Sequence, residues 1–210
     1  MSDALARVQR LSPEPGRRVL VISDIHANIP YFEGALRLAE YSDRDELIID
    51  GDFLEKGPES LRILRMLMEM NARGHTHVIC GNCDNWGRLF APDWESPRDA
   101  RVLRYLQWRR GGLLWDMCCA MGADPSGITD FTPVKQELYR AFPREWDFLM
   151  SIPHAIETER FVFSHAGMTP GKPLAQHRPE ELYRRDRFRG SRRLLRLRRY
   201  QDGTVLASRR

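Results

Sequence analysis

Three observations predict an α/β fold. Short apolar runs rich in β-branched residues read as buried strands. Helical segments alternate with them, and a polar cluster closes four of the strands. Strand–helix–strand–helix–strand order implies parallel pairing at the start of the core, because parallel neighbours need a crossover.

The elements follow in chain order. After a polar lead-in, Arg18–Ser23 (RVLVIS) is the first strand, ending in Asp24-Ile25-His26-Ala27-Asn28. Pro30 then opens a helix to about Glu40, since proline suits a first helical turn. Glu46–Asp50 is the second strand and ends in Gly51-Asp52. Gly57-Pro58 begins a second helix with Leu61, Leu64 and Met68 as its apolar stripe, and Gly74 stops it. His77–Cys80 is the third strand, followed by Gly81-Asn82-Cys83-Asp84. Residues 97–151 read as helical, broken at Gly111-Gly112, Gly122–Pro125 and Pro143, with Cys118, Cys119 and nearby Trp and Met residues as core. Ile156–Phe163 is a hairpin whose second strand ends in Ser164-His165-Ala166-Gly167.

Composition bounds the class. At 210 residues the chain can bury a full core, and 42% hydrophobic with 30% charged residues excludes collagen, coiled coil and wholesale disorder. Its apolar runs are too short for a membrane span, and the first residues lack a secretory core. Four cysteines, two of them adjacent, are no disulfide framework, so a cytoplasmic setting is expected. The net charge of +4 is unevenly spread: residues 178–210 hold 12 Arg against 4 acidic residues, leaving residues 1–177 acidic overall. The basic tail carries few aromatics for base stacking, so nucleic acid is not the expected partner.

In open α/β sheets ligands bind beyond the carboxyl ends of the strands. Asp24, His26, Asp52, Asn82 and His165 all follow strands, so residues distant in the chain are expected to converge. Two carboxylates, two imidazoles and a carboxamide suit Mn, Fe, Zn or Mg. The bland readings are a strand-end turn for Asp24 and His26, a helix cap for Asn82, and a solvated loop residue for Lys56.

These motifs, Asp24-Ile-His26, Gly51-Asp52-Phe-Leu-Glu-Lys56-Gly57, Gly81-Asn82-Cys83-Asp84 and His165-Ala-Gly167, resemble those of the calcineurin-like metallophosphoesterases, over roughly residues 18–175. The branch is the phosphoprotein phosphatases, as in bacterial Ser/Thr phosphatase-like proteins. Each motif alone is weak; four in order, each after a predicted strand, are specific. The resemblance implies a β-sandwich flanked by helices, with a helical insertion at about 90–150. It implies two divalent metals about 3.5–4 Å apart. Asp24 and His26 would hold the first, Asp52 would bridge, and Asn82 and His165 would hold the second. A bridging hydroxide would attack a phosphoester of a phosphorylated protein or small molecule. Lys56 and Asn82 would contact the phosphate. Lys56 stands where relatives carry Arg, Glu55 where they carry Asp, and Cys83 where most carry a proton-donating His. Cys83, with Asp84 beside it and Lys56, forms the implied catalytic group, and a thiol acid implies a preference for aryl phosphates.

The family pattern continues with a further His on a later strand, yet this sequence has no His after His177. The expectation is a domain over 1–177 missing its final strands and an Arg-rich tail over 178–210, read as a truncated or atypical end, with Glu180–Leu197 able to form a poor helix. A weaker second metal and an open sheet edge follow from that. Two other functions stay open: a dinucleoside tetraphosphate hydrolase, and a catalytically dead module that acts by binding.

Overall fold

The computed structural model describes residues 5–86, 99–169, 171–183 and 205–207. Two sheets face each other. Strands β2 (Val19–Ile22), β3 (Glu46–Asp50), β4 (Thr76–Ile79) and β7 (Val205–Ala207) form a parallel sheet in the order β4-β3-β2-β7. Strands β1 (Val8–Arg10), β5 (Ala155–Glu157) and β6 (Val162–Phe163) form the smaller sheet. There β1 runs parallel to β5, and β5 pairs antiparallel with β6 as the predicted hairpin.

Alternation along the strands explains the layering. Leu20, Ile22, Leu47, Ile49 and Val78 point to the large core shared with the helices. Their neighbours Val21, Ile48 and Ile79 point the other way and meet Ile156 of the small sheet. Because successive side chains take opposite faces, a strand apolar at every position is buried on both. Burying one such side chain fully is worth about 1.5–3 kcal/mol.

Helices α1 (Ile29–Leu38) and α2 (Ser60–Ala72) are the predicted crossovers. Asn28 caps α1 by accepting from the Tyr31 N–H at 3.1 Å. Ser60–Ala72 begins later than Gly57-Pro58 suggested, because its N-terminus is capped from outside: Asp116 accepts from the Leu61 N–H at 3.1 Å. Among the described residues, the stretch expected to be helical carries four helices, α3 (Asp99–Arg109), α4 (Leu113–Ala120), α5 (Phe131–Ala141) and α6 (Pro143–Ser151). Met117 and Cys118 are in its core as expected, whereas Cys119 and Trp108 are exposed. No helix among the described residues is long and apolar enough to cross a membrane.

The end of the chain differs from expectation at one point. Val205–Ala207 adds to the parallel sheet beside β2, with Val21 opposite Leu206, so the β2 edge is covered rather than open. A three-residue apolar stretch suffices because β2 offers an in-register template. A short helix α7 (Pro179–Tyr183) buries Leu182 and Tyr183. The remainder of the expected 180–197 helix lies outside the described residues.

Candidate metal centre

Four strand ends build the centre. Asp24 and His26 follow β2, Asp52 follows β3, Asn82 and Cys83 follow β4, and His165 follows β6 of the other sheet. The first two turns are laced together: Asp24 N–H donates to Gly51 O at 3.1 Å, His26 N–H to Asp52 O at 2.9 Å and Ala27 N–H to Phe53 O at 2.8 Å. These bonds hold an unusual backbone. Asp24, His26, Ala27, Asp52, Glu55 and Lys56 all have φ between 48° and 66°. That left-handed region costs a non-glycine residue of order 1 kcal/mol and clusters at functional sites. Two glycines permit the close packing. A Cβ on Gly81 would lie 2.2 Å from Asp52 N, and one on Gly51, at φ +76°, would lie 2.7 Å from the His165 ring.

The side chains converge on Asp52, which is 3% exposed. Its Oδ1 lies 3.3 Å from His165 Nε2, and its Oδ2 lies 3.8 Å from His26 Nε2. Asp24 Oδ1 is 3.6 Å from His26 Nε2. By distance the donor atoms fall into two groups of three, each within 4.8 Å: Asp24–Asp52–His165 and His26–Asp52–Cys83. Asp52, expected as the bridge, belongs to both groups, each group holds one imidazole, and Asp24 and His26, expected on one cation, also lie close together.

The donors fit divalent cations. Lys56 Nζ has only protons to give and lies 2.7 Å from His26 Nε2, so that nitrogen accepts and its lone pair faces the centre. His26 Nδ1 therefore carries the proton and donates to Leu54 O at 3.2 Å. His165 Nδ1 likewise donates to Asp50 O at 2.8 Å. A backbone carbonyl on the far ring nitrogen is the usual way to aim a metal-ligating imidazole. The Lys56 ammonium marks the spot as one that attracts positive charge.

Charge tunes each group. Burial opposes ionisation of His165, but its hydrogen bond and charge pairing with Asp52 outweigh that and raise it to about 9. Burial likewise opposes ionisation of Asp52, yet His165 and the Cys83 N–H, donated at 2.9 Å, hold it down at about 2. Burial, then Asp52 and Asp84, push the Cys83 thiol up, so it is protonated at neutral pH. Asp84 is fully engaged with backbone: Oδ2 accepts from Asp52 N–H at 2.7 Å and Gly81 N–H at 2.8 Å, and Oδ1 from Leu54 N–H at 3.0 Å. It clamps the β3 and β4 turns together and acts on the centre through them. Asn82 is exposed, and its amide donates to Cys83 Sγ at 3.3 Å.

Other histidines stand apart. His177 is buried, with Nε2 accepting from Thr169 N–H at 3.0 Å and Nδ1 3.0 Å from Pro173 O, so it is no substitute ligand as placed. His154 Nδ1 accepts from Arg7 N–H at 2.9 Å. His75 and His77 lie against Glu46, at the opposite ends of the strands.

Two residues play parts that the sequence does not reveal. Asp50 Oδ1 is buried with no hydrogen-bond partner among the described residues, and burial raises this carboxyl to about 6. Glu55 is a hub: its carboxylate accepts from Trp86 Nε1 at 2.9 Å, Leu113 N–H at 3.0 Å and the Tyr105 hydroxyl, with Arg109 Nε at 3.8 Å. It fastens helices α3 and α4 to the turn that carries Lys56.

The sequence profile described as calcineurin-like phosphoesterase matches residues 17–202. Among curated proteins, none matches the chain. Among solved structures, a candidate diadenosine tetraphosphatase is similar at 22% identity and a TM-score of 0.53, covering 84% of this chain and 62% of that one. This chain thus spans less than two thirds of that protein's length. A protein serine/threonine phosphatase from Saccharomyces cerevisiae aligns at 13% identity and a TM-score of 0.47, over 81% of this chain and 46% of that one.

Proposed function

The chain belongs to the calcineurin-like phosphoesterase family, and from that premise we propose that it is a divalent-cation-dependent phosphoester hydrolase acting on a phosphomonoester of a protein Ser/Thr or of a small molecule. The observation that carries this reading is the sharing of Asp52 between two donor groups, each with one aimed imidazole. Asp24, His26, Asp52 and His165 would hold two cations, with Asn82 as a further oxygen donor. Cations bound there supply a water of lowered pKa and neutralise phosphoryl charge.

The chain's own residues do the rest. Lys56 leaves its contact with His26 and grips a phosphoryl oxygen as a point charge, without the bidentate fork an Arg would give. Asp84 and Asp50 fix the turns and the His165 ring. Cys83 keeps its proton beside the centre and is placed to deliver it to a leaving group. Four cysteines, two of them adjacent, make no disulfide framework in the sequence, which supports a reducing, cytoplasmic setting.

The phosphatase reading has a rival within the family. The similarity to a candidate diadenosine tetraphosphatase supports hydrolysis of a dinucleoside tetraphosphate as the second reading. A Mn2+-supplemented panel of p-nitrophenyl phosphate, a phosphoserine peptide and diadenosine tetraphosphate tests both. Turnover of either monoester that is lost in Asp52→Asn supports the first reading. Turnover of the dinucleotide alone supports the second, and turnover of none overturns both in favour of a binding module.

A further inference from the structure

We propose that Cys83 makes one half of the centre a site for a thiophilic divalent cation, zinc or cobalt in class, with His26, Asp52 and Cys83 as its protein ligands. This rests on the cation-centre reading above and goes beyond it by adding a sulfur ligand and a metal selectivity. Three observations carry it. The donor atoms of the three residues lie within 4.8 Å of one another. The thiol is held in place, because Cys83 N–H donates to Asp52 Oδ1 at 2.9 Å and so ties the residue to the shared carboxylate. Finally, Asn82 Nδ2 donates to Sγ at 3.3 Å, a bond that favours charge on sulfur.

Distance makes the step small. Tetrahedral zinc with Zn–N near 2.0 Å and Zn–S near 2.3 Å spaces its ligands by about 3.3–3.8 Å. The three donor atoms lie within 4.8 Å of one another, so a side-chain rotation brings them into that range. His26 is already aimed by Leu54 O. On binding, the thiol proton leaves to solvent and a coordinate S–metal bond forms. The dication is then balanced by the thiolate and the Asp52 carboxylate, with no change in oxidation state.

Softness then sorts the cations. Manganese and magnesium favour the oxygen donors and leave the thiol protonated. Zinc and cobalt recruit the sulfur and, in doing so, remove the proton that the thiol would give to a leaving group. The other thiols are set apart from this cluster: Cys80 donates to Gly81 O at 3.4 Å, Cys118 is in the helical core and Cys119 is exposed on the insertion.

Titration of the full chain with Co2+, followed by absorption, separates the proposal from the reading beneath it. Visible d–d bands report a cation in the centre; a near-ultraviolet sulfur-to-cobalt charge-transfer band reports the thiolate. The proposal expects both in the wild type, only the visible bands in Cys83→Ser, and neither in Asp52→Asn. It also expects Cys83→Ser to lose at least about tenfold in zinc affinity while manganese affinity stays within about threefold. Visible bands without charge transfer in the wild type, or charge transfer that survives in Cys83→Ser, overturn the sulfur ligand and leave the oxygen–nitrogen centre standing. No bands at all in the wild type overturn both. The wild-type spectrum decides the question even if Cys83→Ser fails to fold.

Discussion

The His165 imidazole and the Asp52 carboxylate meet at 3.3 Å although they hang from different sheets, Asp52 beyond β3 and His165 beyond β6. The pair therefore depends on the sandwich itself: Val21, Ile48 and Ile79 must pack on Ile156 for the two strand ends to register. Site and core are one structure here, and damage to the inter-sheet layer reaches the site.

That pairing predicts opposite pH responses for stability and for cation binding. His165 is raised to about 9 in the folded, cation-free protein, against about 6.5 when unfolded. Its contribution to stability is full below about pH 6.5 and is lost as pH rises through about 9. A cation needs the neutral ring, so its affinity rises over the same interval as the proton becomes easier to displace. Thermal denaturation without added metal should show a melting temperature falling between pH 6.5 and 9, an effect absent in His165→Asn. Calorimetry of Mn2+ binding in buffers of different ionisation enthalpy should show a proton released at neutral pH. Proton release that is zero at neutral pH contradicts the charged pair.

Glu55 predicts a mechanical link between the insertion and the centre. Glu55→Ala leaves the Trp86 and Leu113 N–H groups without their buried acceptor and should cost about 3–5 kcal/mol. Urea denaturation followed by far-ultraviolet circular dichroism measures it. Glu55→Gln keeps an acceptor oxygen and should recover part of the loss. A Glu55→Ala protein as stable as the parent would mean that helices α3 and α4 are held by other contacts.

Much of this architecture is legible in the sequence. The strands that carry Asp24, Asp52 and Asn82 announce themselves as apolar β-branched runs, and the helices between them dictate parallel pairing. β1 is harder: Val8-Gln9-Arg10 is short and polar, and becomes a strand only because β5, far along the chain, offers its edge. β7 is the same case within an Arg-rich tail. The Glu55 hub is invisible for a related reason, since Trp86, Tyr105 and Leu113 reach it from elements that only the tertiary fold brings near. The left-handed turns are only partly marked: Asp24, His26 and Asp52 are types that visit such backbone, whereas Ala27, Glu55 and Lys56 are not and give no sign of it. Which donor atoms lie nearest one another around Asp52 is a matter of ångströms, which spacing along the chain does not encode.

Close backbone approach gives a further prediction. Gly81→Ala would drive a Cβ to 2.2 Å from Asp52 N and 2.5 Å from Asp52 Oδ1, against backbone and a clamped carboxylate that cannot yield. The variant should lose Mn2+ affinity by about 10–100-fold while its far-ultraviolet circular dichroism stays close to that of the parent. Gly74→Ala serves as the contrast: beyond its chain neighbours, no atom of the described residues lies within 4 Å of its Cβ, so the strain of φ +97° is what is felt, and cation binding should be unaffected. Equal affinity in Gly81→Ala and the parent would contradict the packed turns described here.

The most direct test of the cation centre is an anomalous difference map from crystals of the full chain grown with Mn2+. Peaks in contact with Asp52, one flanked by Asp24 and His165 and the other by His26, are the predicted result. A well-ordered structure in which Mn2+ binds elsewhere, or in which those four side chains hold none at saturating concentration, would contradict it.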